Sequence, residues 1–232
     1  EIKISEAGEV LFPSPGVFQG YFKNAEGTRQ TLEDGWIHSG DAGFLDQAGH
    51  LKIIDRAKDL GRLTDGTMFA PKYLENKLKF SPFVKEAVAL GPDRPYVTML
   101  VNIDLAAVGN WAERRGIAYT SYTDLSQKPE VYELIAGEVA RVNRSLAVED
   151  EVLRGAQIRK FLILHKELDP DDEEITRTRK VRRGYIAQKY AALIEALYGD
   201  RDHVSVDAQV TYEDGRTGTV RANVTIRELT TR

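Results

Sequence analysis

The chain has 232 residues, of which 42% are hydrophobic and 29% charged, enough for one large or two small globular domains. Its net charge of −4 excludes a global positive field that would attract nucleic acid or an anionic membrane. The absence of cysteine excludes disulfides and thiolate metal sites, and no apolar run reaches the ~18 residues of a membrane helix. Because the chain begins Glu-Ile-Lys-Ile rather than with Met, we expect a fragment that lacks its natural N-terminal part.

The first part of the chain is rich in short strands and turns. Apolar runs at 9–12 and 51–54 are bounded by Gly, Pro and Asp, which is typical of strands. Residues 46–50 separate the second run from 43–45 and predict a five-residue hairpin loop. The period changes at 71–78, where a proline suited to the first helical turn precedes two leucines four residues apart. We predict a helix there.

The next section predicts an alternation of strands and helices. Its predicted elements, in chain order, are strands at 84–90 and 96–103, helices at 105–115 and 129–146, a buried strand at 158–164 and a helix at 181–198. The last helix should bury one apolar stripe. The stripe consists of Ile186, Tyr190, Leu193, Ile194 and Leu197.

The tail of the chain carries a hairpin pattern. Apolar residues alternate over 204–212 and again over 220–226, with Asp214 and Gly215 between the two runs. The exposed edges of such a hairpin could pair with the preceding sheet, with another subunit or with a partner chain. The sequence leaves these three alternatives open.

A dense cluster of cations follows the acidic run 169–174. Lys180 lies inside it, just after two hydroxyls at alternate positions, Thr176 and Thr178. Such a cluster suits a polyanion, which leaves a nucleotide phosphate, a pyrophosphate and a nucleic acid backbone as candidates.

Several motifs occur in a fixed order along the chain. They are Gly-Trp-Ile-His-Ser-Gly-Asp at 35–41, Gly-Phe-Leu-Asp at 43–46, Ile-Asp-Arg-Ala-Lys-Asp at 54–59, Ala-Pro-Lys-Tyr-Leu-Glu at 70–75 and Ile-Thr-Arg-Thr-Arg-Lys at 175–180. In this order and spacing they resemble the C-terminal part of the adenylate-forming enzymes, which include acyl-CoA synthetases, luciferases and peptide-synthetase adenylation domains. The Thr-x-Thr-x-Lys form of the last motif is most similar to a bacterial branch of the long-chain fatty acid–CoA ligases. The resemblance runs from about Gly8 to Tyr198.

The resemblance implies an α+β fold in three parts. Residues 1–55 would be the strand-rich end of a large N-terminal AMP-binding domain. Residues 56–200 would form the small mobile C-terminal domain, an antiparallel sheet with packed helices. Residues 201–232 would add a C-terminal β-hairpin. The glycine-rich phosphate loop of the family has no counterpart in the sequence, so most of the phosphate grip is expected in the missing domain.

Two residues are expected at the nucleotide. Asp41 matches the family aspartate that binds the ribose hydroxyls of ATP, a task that a fixed carboxylate acceptor can perform. The alternative is a turn aspartate that bonds its own backbone. Arg56 offers a planar fork of donors for ribose or phosphate oxygens, whereas the alternative is an exposed surface arginine.

Three further positions are assigned by the resemblance. Lys58 matches the family's hinge residue, where only tolerance of a large φ/ψ change is needed. Gly66 lies in the loop that forms the pantetheine channel of the family, although a plain turn glycine fits the sequence as well. Lys180 matches the catalytic lysine, whose compact ammonium would stabilise charge at the α-phosphate during adenylation.

The neighbours of these residues are given lesser roles. Arg182 and Arg183 are interpreted as a solvated basic face that covers apolar surface, and the roles of Arg177 and Arg179 stay open. Glu75 is expected to anchor its helix by a salt bridge. The four histidines have no metal-ligand spacing, so no metal site is predicted in this chain.

As a whole, the resemblance implies an ATP-dependent acid–thiol ligase. Its substrates would be ATP, a long-chain fatty acid and CoA, with AMP and pyrophosphate released by way of an acyl-adenylate. Mg²⁺ would be required, with its ligands in the missing N-terminal domain, which is also the expected protein partner. The fragment alone is expected to be inactive, and a cytoplasmic location is expected, with peripheral membrane association and the oligomeric state left open.

Two alternatives remain. Another adenylate-forming enzyme, such as a fatty acyl-AMP ligase or an aryl-CoA ligase, fits the same motifs, because substrate selection belongs to the missing domain. A non-catalytic basic module that binds nucleic acid or protein through 177–183 is disfavoured, because the net charge is negative and the adjacent acidic run would repel a phosphate backbone. No nucleic acid partner is therefore expected.

Overall fold

A computed structural model describes residues 1–13, 18–149, 151–211 and 217–230 of the chain. Its strands are β1 (Lys3–Ile4), β2 (Glu9–Pro13), β3 (Leu32–Glu33), β4 (Trp36–Leu45), β5 (Leu51–Arg56), β6 (Gly61–Arg62), β7 (Met68–Phe69), β8 (Val84–Leu90), β9 (Val97–Ile103), β10 (Ile158–Ile163), β11 (His203–Thr211) and β12 (Thr217–Glu228). Its helices are α1 (Ala25–Thr31), α2 (Pro71–Lys79), α3 (Leu105–Glu113), α4 (Tyr122–Ser126), α5 (Pro129–Glu149), α6 (Glu151–Arg154), α7 (Arg183–Lys189) and α8 (Ala191–Leu197).

The strand-rich start forms an antiparallel sheet around the long strand β4. Strand β2 pairs with one edge of β4, while β3 and β5 pair in turn with the other edge. The predicted hairpin loop at 46–50 is confirmed, because one carboxylate oxygen of Asp46 accepts the backbone N–H groups of Ala48 and His50 at 3.0 and 2.9 Å. The loop sets Leu45 opposite Leu51, and a one-residue register shift between Gly43 and Ala42 then sets Asp41 opposite Arg56.

Helix α2 links the two sheets. It begins at Pro71, as predicted, and buries Leu74 and Leu78 against the core together with the carboxylate of Glu75. The same core contains Phe44 of β4, so the first sheet packs onto the section that follows it.

The second sheet has the strand order β11-β12-β10-β9-β8. Its pairings are antiparallel, as expected, except that β9 and β10 run parallel. A parallel pair needs a crossover connection, which α3, α4, α5 and α6 provide. Every residue of β9 is buried, because α5 covers one face of the sheet and α7 with α8 cover the other.

The C-terminal hairpin continues the second sheet. Strand β12 pairs with β10, so that Leu162 lies opposite Ile226. Val224 and Ile226 are buried, and the hydroxyl of Tyr132 donates to the carbonyl of Thr225 at 2.8 Å. Of the three alternatives for this hairpin, the chain therefore uses pairing with its own sheet. The predicted turn at 214–215 lies outside the described residues, and the division at 55 and 200 stays a prediction.

The last predicted helix is divided into α7 and α8. The break lies at Tyr190, whose backbone leaves the helical region with φ −103° and ψ 19°. Its hydroxyl donates to the buried carboxylate of Glu174 at 2.6 Å, which ties the break to the preceding loop. The predicted stripe is confirmed: Ile186, Tyr190, Leu193, Ile194 and Leu197 are all buried.

Candidate functional site

Asp41 and Arg56 face each other across strands β4 and β5. Their side chains form an ion pair with 2.8 Å between Oδ1 of Asp41 and Nη1 of Arg56. The two side chains are 36% and 60% exposed, so the pair contributes little to stability and keeps polar atoms available to a ligand. Acceptor and donor thus stand side by side at the surface.

The strand is kinked next to Asp41. Gly40 has φ +72°, a left-handed conformation that glycine adopts without strain. Glu9 braces the kink, since one of its oxygens accepts the N–H of Gly40 at 2.8 Å and the other lies 2.8 Å from Nδ1 of His38. His38 therefore contributes to the structure of this bend. The role of Glu9 has no signal in the sequence, because the contact joins residues 29 and 31 positions apart.

Asp55 connects the candidate nucleotide pair to helix α2. Its Oδ1 accepts the N–H of Arg56 at 2.9 Å, and its Oδ2 accepts the N–H of Lys72 in the first turn of α2 at 3.0 Å. Asp55 is buried, and the helix has no side-chain cap of its own because its N-cap residue is Ala70. The end of β5 is thereby held to the start of α2.

Lys58 lies in a single 3₁₀ turn, Ala57–Asp59, directly after β5. It is exposed, and its ammonium has no hydrogen-bond or ion-pair partner among the residues that the structure describes. Such a short, exposed connection between two packed elements suits a hinge.

Gly66 occupies the tip of a tight turn between β6 and β7. It has φ +88°, and a Cβ added there would meet no atom within 4 Å. The carboxylate of Asp65 accepts the N–H of Thr67 at 2.9 Å, and the N–H of Gly66 donates to the carbonyl of Leu63 at 3.0 Å. The turn is fixed by its own hydrogen bonds and presents an open backbone surface.

Lys180 lies on a short antiparallel loop. At its base the N–H of Arg182 donates to the carbonyl of Glu174 at 2.9 Å, and further out Thr176 and Lys180 pair. The N–H of Lys180 also donates to the hydroxyl of Thr176 at 3.0 Å, and Arg179 has φ +58°. The loop is therefore tightly bonded. In the described part of the chain the ammonium of Lys180 is exposed and has no partner.

Arg183 is the main correction to the sequence interpretation. It does not belong to a solvated basic face, because its guanidinium donates to Oε1 of Glu75 at 2.5 Å and to the carbonyl of Ala89 at 3.1 Å. The same oxygen of Glu75 accepts the N–H of Ala89 at 2.8 Å. Burial raises the pKa of Glu75, and the charge and hydrogen bond of Arg183 oppose that rise. The expected salt bridge of Glu75 is confirmed, and Arg182 alone fits the earlier interpretation.

A buried network supports the base of the Lys180 loop. The carboxylate of Glu174 is fully buried and lies 2.8 Å from the ammonium of Lys189 and 3.2 Å from that of Lys166. It also accepts the hydroxyl of Tyr190 and the N–H of Asp169. Burial acts to raise the pKa of Glu174, but these hydrogen bonds and charges outweigh it and lower the pKa.

Arg177 and Arg179 line a cavity of about 390 Å³ beside this loop. Lys85 and Glu167, which pair with each other at 2.5 Å, line it as well. The two arginines have no ion-pair partner in the ranges covered by the structure. The two arginines that flank Thr178 on the Lys180 loop therefore contribute to this cavity.

The structure brings together some of the predicted site residues. Asp41 and Arg56 are in contact, and Lys58 follows Arg56 by two positions. Gly66 and Lys180 lie on separate loops, and neither bonds to that pair within the described residues.

Among the described residues, no three His, Asp or Glu side chains form a group that could hold a metal ion. None of the helices described has the length and apolar character needed to cross a membrane.

A family model and the relatives found by sequence comparison indicate the same protein family. The model of the AMP-binding enzyme C-terminal domain matches residues 58–202, which is more than half of the chain. A long-chain-fatty-acid–CoA ligase of Mycobacterium tuberculosis is 35% identical over 198 residues, covering 85% of this chain and 32% of that protein. The human long-chain-fatty-acid–CoA ligase 1 is 32% identical over 194 residues, covering 82% of this chain and 27% of the relative. The chain thus spans about a third of the length of these curated relatives.

Solved structures support the fold. The adenylation domain of a carboxylate reductase from Mycobacterium chelonae superposes with a TM-score of 0.54 at 24% identity, covering 83% of this chain and 28% of that one. The corresponding domain from Segniliparus rugosus, solved with AMP and a carboxylic acid, gives 0.53 at 20% identity, covering 82% and 28%. At these identities the likeness concerns the fold alone. Together with the family match, it establishes that the chain belongs to the family of C-terminal domains of AMP-binding enzymes.

Proposed function

We propose that this chain is the C-terminal part of an ATP-dependent long-chain fatty acid–CoA ligase. The observation that carries the proposal is the exposed ammonium of Lys180, which has no partner among the described residues, on a loop whose base is firmly bonded. The names of the relatives supply the substrate class, since the bacterial and the human relative are both long-chain-fatty-acid–CoA ligases.

In the first half-reaction a fatty acid carboxylate oxygen attacks the α-phosphorus of ATP. The bond between the α-phosphorus and the bridging oxygen breaks, pyrophosphate leaves and an acyl-adenylate forms. Lys180 supplies a point positive charge where negative charge accumulates in the transition state. Asp41 accepts hydrogen bonds from the ribose hydroxyls, and Arg56 holds the carboxylate of Asp41 and donates to the nucleotide.

In the second half-reaction the sulfur of CoA attacks the acyl carbonyl, AMP leaves and the thioester forms. We assign the change between the two states to rotation about Lys58, which withdraws Lys180 and presents the turn at Gly66. The open space around Gly66 supports this role, because a pantetheine chain needs a close backbone approach. One site then serves two reactions through a movement of the domain.

Magnesium does not fit the residues described here, because they contain no carboxylate cluster that could hold a metal ion. We therefore derive no step through it from this chain, and its ligands are proposed to lie in the N-terminal domain. The rest of that domain is the proposed partner of the first sheet, which would be the domain's end. The cytoplasm, with peripheral membrane association, is the proposed location, since it supplies ATP and CoA.

The test uses the intact enzyme and a panel of carboxylic acids. We expect AMP release to require CoA and to be fastest with long-chain fatty acids such as palmitate. Release of acyl-adenylate without thioester would instead identify a fatty acyl-AMP ligase. A preference for aromatic acids would identify an aryl-CoA ligase. The isolated 232-residue chain is the control. Thioester formation by that chain alone would contradict the proposed division of the site.

A further inference from the structure

Helix α2 contacts both halves of the candidate site. Its first turn is bonded to Asp55, the residue next to Arg56, through the N–H of Lys72. One turn later its Glu75 is bonded to Arg183, three residues beyond Lys180. The nucleotide pair and the Lys180 loop, which do not touch each other in the described chain, are thus both attached to one short helix.

Three hydrogen bonds join Glu75, Ala89 and Arg183. Oε1 of Glu75 accepts from the backbone N–H of Ala89 and from the guanidinium of Arg183, while Arg183 donates to the carbonyl of Ala89. Glu75 is 7% exposed, so its carboxylate is shielded from water, whereas the side chain of Arg183 is 38% exposed. Two directional bonds from one planar guanidinium fix both the distance and the orientation of the start of α7.

Backbone hydrogen bonds along the Lys180 loop connect the position of Arg183 to the tip of the loop. Arg182 precedes Arg183, and its N–H pairs with the carbonyl of Glu174 at the base of the loop. From there the pairing of Thr176 with Lys180 continues the ladder outward. A displacement of Arg183 therefore displaces Lys180.

We propose that Glu75 and Arg183 are positioning residues, which make helix α2 and the Lys180 loop move as one rigid unit during the domain rotation, while the bond from the N–H of Lys72 to Asp55, which spans the hinge, opens. This inference rests on the proposed function for its catalytic consequence. Its structural part, the rigid coupling, does not depend on the substrate. In the described chain neither side chain bonds to Asp41 or Arg56, so loss of the pair should misplace Lys180 without weakening nucleotide binding.

The experiment compares Arg183→Lys and Glu75→Gln with Arg182→Lys. Lysine keeps the charge of Arg183 but loses the fork, and glutamine keeps the acceptor of Glu75 but loses the charge. Arg182 is the matched control, because it is the adjacent arginine and its guanidinium lies only at 3.6 Å from Glu173 and over the ring of Tyr185.

In the intact enzyme we expect Arg183→Lys to lower kcat for ATP–pyrophosphate exchange about tenfold or more, because small misplacements of a catalytic group are costly. The KM for ATP and the rate of thioester formation from supplied acyl-adenylate should stay within about twofold, as should every rate of Arg182→Lys. The kcat of Glu75→Gln for this exchange should lie between those of Arg183→Lys and Arg182→Lys. If Arg183→Lys does not fold, Glu75→Gln provides the test. Equal losses in both half-reactions would overturn the inference.

A second measurement separates this inference from the proposed function. Hydrogen exchange at the amides of Thr176, Lys180 and Arg182 should be faster in Arg183→Lys than in the unchanged chain or in Arg182→Lys. Unchanged exchange would reject the coupling even if activity fell. If no carboxylic acid supports ATP–pyrophosphate exchange by the unchanged enzyme, the proposed function fails. The hydrogen exchange of the amides still decides whether the coupling exists.

Discussion

The side chain of Asp55 accepts the backbone N–H of Lys72 at 3.0 Å, so a strand residue caps a helix that begins 16 positions later. Because the N-cap residue of α2 is Ala70, which has no acceptor, this contact replaces an ordinary local cap. Asp55 also bonds the N–H of Arg56. The same carboxylate therefore orients the candidate nucleotide residue and the start of the helix behind it.

Replacing Asp55 with Ala should lower the free energy of unfolding by about 1 kcal/mol, the usual effect of a lost helix cap. It should also raise the KM for ATP, because Arg56 loses its backbone anchor. Urea denaturation and ATP–pyrophosphate exchange measure the two effects. The matched control is Asp104→Ala, which removes the cap of α3 from the N–H of Ala107. An equal rise of the KM for ATP in Asp104→Ala would contradict the prediction that Asp55 orients Arg56.

Replacing Lys180 with Ala in the intact enzyme should lower the rate of adenylation by a factor of about 100 to 1000, as expected for a lost electrostatic donor. The fold should be unaffected, since the exposed ammonium makes no bond in the described chain. Thioester formation from supplied acyl-adenylate should change much less. Arg179→Ala, on the same loop, is the control. Similar losses in the two half-reactions of Lys180→Ala would argue against the assignment.

Replacing Gly66 with Ala should cost about 1 kcal/mol of stability, since φ is +88° and no atom obstructs the new methyl group. Gly116 has φ +69° and equally open surroundings, so Gly116→Ala should cost a similar amount. Only the change at Gly66 should slow thioester formation while leaving adenylation intact. Thermal melting and separate half-reaction assays check this. If the two variants are equally active in both assays, Gly66 is a plain turn glycine.

Replacing Ile226 with Ala should lower the free energy of unfolding by about 2 to 4 kcal/mol, as for other buried large-to-small changes. Strand β12 pairs with β10, and its apolar side chains complete the core under α7 and α8. Arg227→Ala, whose side chain points outward to pair with Glu133, should cost less than about 1 kcal/mol. Denaturant titration distinguishes the two. An Ile226→Ala variant as stable as the unchanged chain would show that the hairpin is dispensable.

Acid should destabilise the chain through Glu174. Its pKa is lowered below the ordinary 4.5, because its hydrogen bonds to Lys189 and Tyr190 outweigh the opposing effect of burial. Between the folded and unfolded pKa values the unfolded chain binds more protons. The contribution of Glu174 is therefore complete above pH 4.5 and is lost as the pH falls through the folded value.

The free energy of unfolding should consequently depend less steeply on pH below 4.5 in Glu174→Gln than in the unchanged chain. Glu173→Gln is the control, because Glu173 is exposed and lies 3.6 Å from its partner Arg182. Denaturation curves at several acidic pH values provide the measurement. Identical slopes in the unchanged chain and Glu174→Gln would contradict the charged network.

Local patterns predicted most of the secondary structure. The proline and leucine spacing placed the start of α2 at Pro71, and the five residues after Leu45 predicted a hairpin loop, because both depend on contacts a few residues apart. The parallel pairing of β9 with β10 was not predicted, since it depends on a crossover through four described helices, α3 to α6. The break at Tyr190 was missed for the same reason: its partner, Glu174, belongs to another element.

The sequence by itself determined the family, the α+β class and the identity of the candidate residues, because motif order and short-range periodicity are written in neighbouring positions. Tertiary structure alone decided the role of Arg183, which has the same charge as Arg182 but a buried partner 108 positions away. It also decided that the tail pairs with β10 of the chain's own sheet. Such choices depend on which distant groups share a buried, low-dielectric space, and no local pattern encodes that.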